Sequence, residues 1–490
     1  MDMYGDTYIS IIFRNKLLPK IRTLKGLKQG DILSPILFII FINDLPKFLK
    51  EGSGADSVEL QGTYFNSLLW ADDIILLSES AVGLQNCINN LCEYCRKWDL
   101  EINIKKTKSL IFNKNGKRLN NSSFKIDSLK IENVNSYSYL GFNISSSGKF
   151  NRGIETLLNK AQRAWFVILK FLNKSRDKKI DTYLTLFDNI VKPILLYACE
   201  IWGYAEVKQD LFSIGKSSIE IFHLKVCKQI LGVHRKASNI AVLAELGRFP
   251  LKLDIQKTIT KYLLRFNILD KDRLVYKAYI EELKNPGIRK NWINFSKNML
   301  DENGLSYIFL NHINCESTSK QVIDKTIETL KIRNEDIFNQ TIMHHIHNSS
   351  IMDSGKLSFY GKLKENFGKE MYLNINNFNN RKTLSELRMS AHKLEIEKGR
   401  YLNINRNERI CKNCKLGVVE DEAHFILECP VYSEHREGFY RYMCHEMEID
   451  LKYSGLQGIK EIFLQNDMNR MNKLAVFIRD LWEKRNSLAS

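Results

Sequence analysis

Leu68-Leu69-Trp70-Ala71-Asp72-Asp73-Ile74-Ile75-Leu76-Leu77-Ser78 is the stretch on which the reading of this chain turns. Two apolar runs flank a pair of aspartates. Carboxylates inside an apolar run are costly unless something uses them. The pattern predicts strand, turn, strand, with Asp72 and Asp73 at the tip of the hairpin. Adjacent carboxylates there suit Mg²⁺, which takes one or two carboxylates and keeps the rest of its shell for water and phosphate oxygens. That arrangement serves two-metal phosphoryl transfer. A solvent-facing Asp-Asp turn is the alternative, and this motif alone does not separate the two.

The flanking segments do more. Upstream the chain reads Gly26-Leu27-Lys28-Gln29-Gly30-Asp31-Ile32-Leu33-Ser34-Pro35. Ser34 is a natural N-cap and Pro35 a natural first helical residue. The apolar stretch 36–42 that follows is expected to form a buried helix. Gly26 and Gly30 give the preceding loop backbone freedom to approach a ligand, and Gln29 can hydrogen-bond a base or a phosphate. Downstream come Asn103-Ile104-Lys105-Lys106-Thr107, and then Tyr139-Leu140-Gly141 where a further strand turns.

Taken in this order, these segments resemble the palm of a reverse transcriptase of the kind carried by non-LTR (LINE-type) retrotransposons. Gly26 to Asp44 is similar to the family's motif B, which implies nucleotide or template contacts for Gly26, Gln29, Gly30, Ser34 and Pro35. The Trp-Ala-Asp-Asp hairpin resembles motif C, which implies that Asp72 and Asp73 bind the catalytic Mg²⁺; Trp70 stands where Phe or Tyr is usual. Asn103 to Thr107 resembles motif D, which implies a catalytic role for Lys106 near the leaving pyrophosphate. Tyr139, Leu140 and Gly141 resemble the primer grip. The likeness continues through Pro193 to Gly203 and Leu246 to Pro250. The family's motif A aspartate has no counterpart in the residues before Gly26, where Asp2 and Asp6 lie outside any apolar strand. The expectation is a truncated palm that is inactive alone, with a sheet that lacks a neighbour beside Asp72 and Asp73.

Composition agrees without deciding. The 490 residues carry 44% hydrophobic and 26% charged side chains, ordinary globular values that exclude a disordered or collagen-like chain. Lys and Arg number 73 against 56 Asp and Glu, a formal charge of +17, and a soluble protein this basic usually meets a polyanion. Ten cysteines are too few for a disulfide scaffold. Met1-Asp2-Met3-Tyr4 does not read as a basic-then-apolar signal peptide, and the longest apolar run, Ile36 to Ile42, is far below the ~20 residues a spanning helix needs. A soluble, intracellular, reduced protein is expected.

From about residue 151 the periodicity becomes helical. Ile154, Leu157, Leu158, Ala161, Trp165, Ile168 and Leu172 share one face of a 3.6-period helix. Lys160, Arg163, Lys170 and Lys174 fall on the other, spaced to follow a phosphate backbone. Solvated surface charge is the plain alternative. Near the end, Cys411-Lys412-Asn413-Cys414 is followed after nine residues by His424 and after four more by Cys429. Three thiolates and an imidazole would complete a closed tetrahedral Zn²⁺ shell, which means a structural zinc; the plain alternative is a chance CxxC with His424 on the surface of a helix. This segment also resembles the zinc-binding one C-terminal to LINE-type polymerases. His344, His345 and His347 read as a polar helix patch, and Cys87, Cys92, Cys95, Cys199, Cys227 and Cys315 as buried thiols.

The expected fold class is α+β: a truncated reverse-transcriptase palm over 1–150, thumb-like helices over 151–250, a helical region of unknown role over 251–405, and a zinc segment with a last helix over 406–490. The resemblance implies an RNA-directed DNA polymerase using Mg²⁺, acting on an RNA template and a DNA primer or target, in the nucleus and cytoplasm. The alternatives are a non-catalytic nucleic-acid-binding protein and a nonfunctional remnant of such an element.

Overall fold

The computed structural model describes residues 7–23, 26–27, 30–53, 56–113, 122–174, 179–207, 216–284, 291–307, 309, 320–351, 355–447, 456–463 and 467–489. Asp2, Asp6, Gln29 and Cys315 lie outside them. The chain divides into two compact units. The first holds residues 1–137, 145–148 and 271–281, and the second holds 138–144, 149–270 and 282–490.

The described strands pair two by two. In the first unit β1 (Thr7–Ile9) pairs with β4 (Ile21–Thr23), and between them in sequence β2 (Ile12–Phe13) pairs with β3 (Lys16–Leu17). β5 (Val58–Leu60) and β6 (Thr63–Phe65) form the next hairpin, and β7 (Ser67–Trp70) and β8 (Asp73–Leu76) the one after. β9 (Lys108–Leu110) runs parallel to β12 (Glu132–Val134), and β10 (Lys125–Ile126) pairs with β11 (Leu129–Lys130).

Helix α1 (Ser34–Phe41) is followed by α2 (Leu45–Ser53) and, after the hairpins, by α3 (Ala81–Lys97). Ser80 caps α3, its hydroxyl accepting from the Gly83 N–H at 3.0 Å. The helix buries Cys87, Ile88, Cys92, Tyr94 and Cys95, the recurrence of three and four that marks one face. Ile88 and Cys92 pack with Phe124, Ile126 and Ile131. Tyr94 packs with Leu45 and Leu49 of α2, against Leu69 and Ile74 of the β7–β8 hairpin. The hairpin thus rests on α2 and α3.

Two expectations for α1 need correction. The helix exists, but Leu33 is its N-cap residue and Ser34 already lies inside it. Ser34 donates its hydroxyl to Asp31 Oδ2 at 3.1 Å. Nor is the helix buried: Ile36 is 53% and Ile40 66% exposed, and Leu37, Ile39 and Phe41 are also open. Ser-Pro-Ile-Leu-Phe-Ile-Ile-Phe is apolar on every side, so its burial needs a layer over each face. The described two-stranded ladders do not supply one.

The second unit is helical. It begins with the tip of the hairpin formed by β13 (Ser136–Tyr139) and β14 (Phe142–Ser145), then α4 (Asn151–Lys174), α5 (Ile180–Leu186), a π turn at Phe187–Val191, α6 (Lys192–Leu195) and α7 (Cys199–Glu206). After these come α8 (Ser218–Leu231), α9 (Asn239–Leu246), α10 (Leu251–Arg265), α11 (Leu274–Lys284), whose residues up to Glu281 belong to the first unit, and α12 (Trp292–Glu302). The 32-residue α13 (Lys320–Ile351), α14 (Ser358–Leu363), α15 (Phe378–Arg388) and α16 (Glu395–Tyr401) follow, and α17 (Ser433–Met447), α18 (Leu456–Phe463) and α19 (Met468–Ala489) close the unit. Between Leu251 and Lys284 the chain forms two helices, separated by the residues between Arg265 and Leu274. Among the described residues no helix is long and apolar enough to cross a membrane.

α4 buries Ile154, Leu157, Ala161, Trp165, Ile168 and Leu172, the face its periodicity predicts. The Trp165 indole N–H donates to Gln229 Oε1 at 2.9 Å. Arg248, in the segment between α9 and α10, holds Asp188 with both guanidinium NH₂ groups, at 2.5 and 2.8 Å.

Candidate active site, nucleic-acid interface and metal centre

In the first unit Trp70 pairs with Asp73, so Ala71 and Asp72 are the two turn residues between β7 and β8. Ala71 has φ +51°, a conformation hairpin turns usually give to glycine. The turn lifts Asp72 clear of the ladder and starts β8 with Asp73, and both residues are exposed. The carboxylate pair therefore stands at a hairpin tip, as the two flanking apolar runs predict. Among the described residues no third Asp, Glu, His or Cys joins them in a metal-sized cluster.

Gly26 and Gly30 both have φ +89° with open space around the Cα, the freedom expected of that loop. Pro35 follows Ser34 in the first turn of α1. Lys106 lies in an exposed turn that Asn103 organises: its carboxamide oxygen accepts the Lys106 N–H at 3.1 Å, and its carbonyl accepts the Thr107 N–H at 2.9 Å.

In the second unit Tyr139-Leu140-Gly141 forms the tip between β13 and β14. Leu140 (φ +45°) and Gly141 (φ +85°) are both left-handed, the type I′ pattern of a tight hairpin. Tyr197 donates its hydroxyl to the Leu140 carbonyl at 2.7 Å, and Lys160 donates its ammonium to the Gly141 carbonyl at 3.2 Å. Lys160 thus braces the hairpin tip against α4. Arg163, Lys170 and Lys174 remain exposed on the outer face, with no carboxylate partner among the described residues. Phe166 and Phe171 are open on the same face, 67% and 72% exposed, together with Val167. The charge pattern did not point to them, although their spacing of three to five along one helix could have.

Cys411, Cys414, His424 and Cys429 converge, their ligand atoms all within 4.8 Å of one another. Cys414 Sγ lies 3.5 Å from His424 Nε2. Tetrahedral zinc with ordinary bond lengths places S and N ligands roughly 3.3–3.8 Å apart, so the donor set fits Zn²⁺ without a large movement. Two backbone devices bring the four side chains together. Around Gly417 (φ +66°) the chain folds back, the Cys411 N–H donating to the Val418 carbonyl at 2.9 Å. His424–Glu428 is a π turn, closed by the Cys429 N–H donating to the His424 carbonyl at 2.8 Å. In an α-helix, residues five apart would diverge by ~140°; the wider π turn brings His424 and Cys429 to one side.

The supporting shell is charged and buried. Arg485 of α19 grips Glu420 through Nε at 2.9 Å and NH2 at 2.8 Å. Arg436 donates to the Cys429 carbonyl, and Asp421 caps the His424 N–H at 2.9 Å. Burial pushes the Cys429 thiol up to about 12, with the neighbouring Cys411 and Cys414 adding to the rise. Burial also lowers the His424 imidazole, which favours the neutral form a metal needs.

Residues 2–144 match the family described as "Reverse transcriptase (RNA-dependent DNA polymerase)". The chain is 28% identical over 234 residues to the retrovirus-related Pol polyprotein from the type-1 retrotransposable element R2 of Popillia japonica, covering 46% of this chain and 37% of that protein. It is 24% identical over 251 residues to the RNA-directed DNA polymerase from mobile element jockey of Drosophila melanogaster, covering 50% of this chain and 26% of that protein. With the probable RNA-directed DNA polymerase from transposon BS of the same species it shares 25% identity over 186 residues, 37% of this chain and 20% of the relative. The chain thus spans well under half the length of these curated relatives. Its small strand-rich region and the helices after it are similar to the reverse transcriptases of non-LTR retrotransposons.

Proposed function

We propose that this chain works in RNA-directed DNA synthesis as part of a LINE-type reverse transcriptase. The observation that carries the reading is Asp72 and Asp73, exposed at a hairpin tip within the segment that matches the polymerase family. On this reading the two carboxylates would hold Mg²⁺, whose charge would stabilise the oxygens of the transferring phosphoryl group. Lys106, on its exposed turn, stands near the leaving pyrophosphate. Gly26, Gln29, Gly30, Ser34 and Pro35 contact the nucleotide or template, and Tyr139 to Gly141 grip the primer. The outer face of α4 meets the duplex through Arg163, Lys170 and Lys174, with Lys160 steadying the grip. Residues 406–490 form a structural zinc segment.

A second reading, nucleic-acid binding without catalysis, is favoured by one observation: the described residues offer two carboxylates at the tip and not a third. Primer extension on an RNA template with a DNA primer and Mg²⁺ tests both. Extension by the chain alone is expected to stay near background, because both metals must be held across the attacking and leaving oxygens. Binding of the template–primer is expected to persist in Asp72→Asn and Asp73→Asn. Extension that those two substitutions abolish would replace the second reading with the first. A chain with no affinity for the template–primer would overturn both.

A further inference from the structure

We propose that Lys236, Lys356, Arg400 and Tyr401 form a separate binding patch for the phosphate backbone of a nucleic-acid strand. The inference rests on the reading of this chain as a partner of nucleic acid, but it concerns residues far in sequence from the palm-like segment and from α4.

Tyr401 ends α16 and is 46% exposed. Three cations gather on it. The Arg400 guanidinium lies 4.4 Å from the ring centroid, the Lys236 ammonium 5.3 Å and the Lys356 ammonium 5.8 Å. Lys356 also donates to the Tyr401 hydroxyl at 3.1 Å and to the Lys236 carbonyl, which ties three distant parts of the chain into one surface. Next to them Lys228 is spent on structure, donating to the Arg235 carbonyl at 2.8 Å and to Asn239 Oδ1 at 2.6 Å. Arg400 is held by Glu397 at 2.8 Å. Lys236 and Lys356 have no carboxylate partner among the described residues.

Such crowding has a cost that the local charges reveal. The His234 imidazole is lowered by burial and then by Lys356, Lys228 and Lys236, and Lys228 itself is lowered by burial and by Lys356. The Tyr401 phenol is lowered despite its partial burial, through Lys356 and Arg400. Attraction to the ring face holds each ammonium in place, but the two lysines still repel each other and have no carboxylate between them among the described residues. A polyanion would relieve the repulsion, and each phosphate neutralised would release condensed counterions. An aromatic ring amid cations on an exposed surface is the composition that single-stranded nucleic acid meets in sequence-tolerant binding sites.

The test uses the full chain and a 5′-labelled single-stranded RNA, with binding followed by anisotropy across a salt series. In the double variant Lys236→Gln/Lys356→Gln the log–log salt slope is expected to flatten by about 0.7 for each phosphate no longer neutralised, hence roughly 1.4 for the pair, with affinity down roughly tenfold at low salt. Lys236→Arg/Lys356→Arg is expected to keep the native slope. Unchanged melting and zinc content verify that the variants fold. A native slope and affinity in the Gln double variant would overturn the patch. Inorganic phosphate that competes better than chloride at equal ionic strength would also overturn it, by pointing to a site for free phosphate. The variant Arg163→Gln/Lys170→Gln/Lys174→Gln keeps the two surfaces distinct. Loss confined to it leaves the α4 reading standing and removes the patch, and loss confined to the Lys236/Lys356 variant does the reverse.

Discussion

Purified protein is expected to retain zinc at one ion per chain, and Cys429→Ser or Cys414→Ser is expected to remove it. The effect should be large because the site is buried and closed. Cys411 and Cys429 are almost wholly covered, and the C-terminal helix packs directly on the segment. Phe425, inside the π turn, lies 4.6 Å from Trp482 of α19, and Phe439 of α17 stacks on Phe477 of α19 at 4.2 Å. Glu420, only six residues from Cys414, is the buried partner of Arg485 in that same helix. Metal binding, worth roughly 10–16 kcal/mol in isolated zinc modules, is therefore coupled to the docking of α19. Loss of the ion should raise amide exchange over 406–447 and over 468–489 together. Metal analysis with hydrogen exchange checks both parts. Zinc content unchanged in both serine variants would remove the assignment, and exchange confined to 411–429 would remove the coupling.

The same segment shows where sequence reading stops. The Cys411, Cys414, His424 and Cys429 cluster was legible because CxxC followed by His and Cys is a local pattern, and local spacing survives in one dimension. The π turn that makes the His424–Cys429 spacing work is not visible there, nor are Glu420 and Arg485, which meet across 65 positions. The buried face of α4 was legible for the same local reason: six apolar residues at helical spacing can be satisfied in only one way. Its outer face was read from charge alone, which assigned Lys160 to phosphate. The structure gives its ammonium to Gly141, because a hairpin brought in from outside the helix supplies an acceptor. The hairpin at Asp72 was legible from two apolar runs that flank a polar pair. The burial of α1 was not, since an all-apolar helix states a need for neighbours and cannot say whether they are present.

Residues 251–405 were the least legible, and they lead to the second large effect. Glu245, at the end of α9, has no exposed surface at all, and Arg388 at the end of α15 is equally buried. Arg388 Nε donates to Glu245 Oε1 at 2.8 Å, as does the Tyr372 hydroxyl at 2.8 Å, while the Tyr360 hydroxyl donates to Oε2 at 2.9 Å. Glu370 approaches the same guanidinium at 3.1 Å and also pairs with Lys364. Burial alone would raise the Glu245 carboxyl, but Arg388 and Lys364 hold it below its ordinary value. The network fastens the segment just before Leu246–Pro250 to the helices of 355–388, which is a structural role for a region the sequence left without one. Because Glu245 and Arg388 are both desolvated, removing Arg388 takes from the buried Glu245 carboxylate its principal partner. Arg388→Met is expected to cost about 3–5 kcal/mol, the usual penalty for breaking a buried pair. Glu245→Met/Arg388→Met, which removes both charges, should recover a large part of it, since replacing a whole buried pair by apolar groups is often neutral. Denaturant melts of the two variants decide the matter. A loss below about 1 kcal/mol in Arg388→Met, the range of exposed ion pairs, would mean that water reaches Glu245 and that the network is not the fastening between these helices.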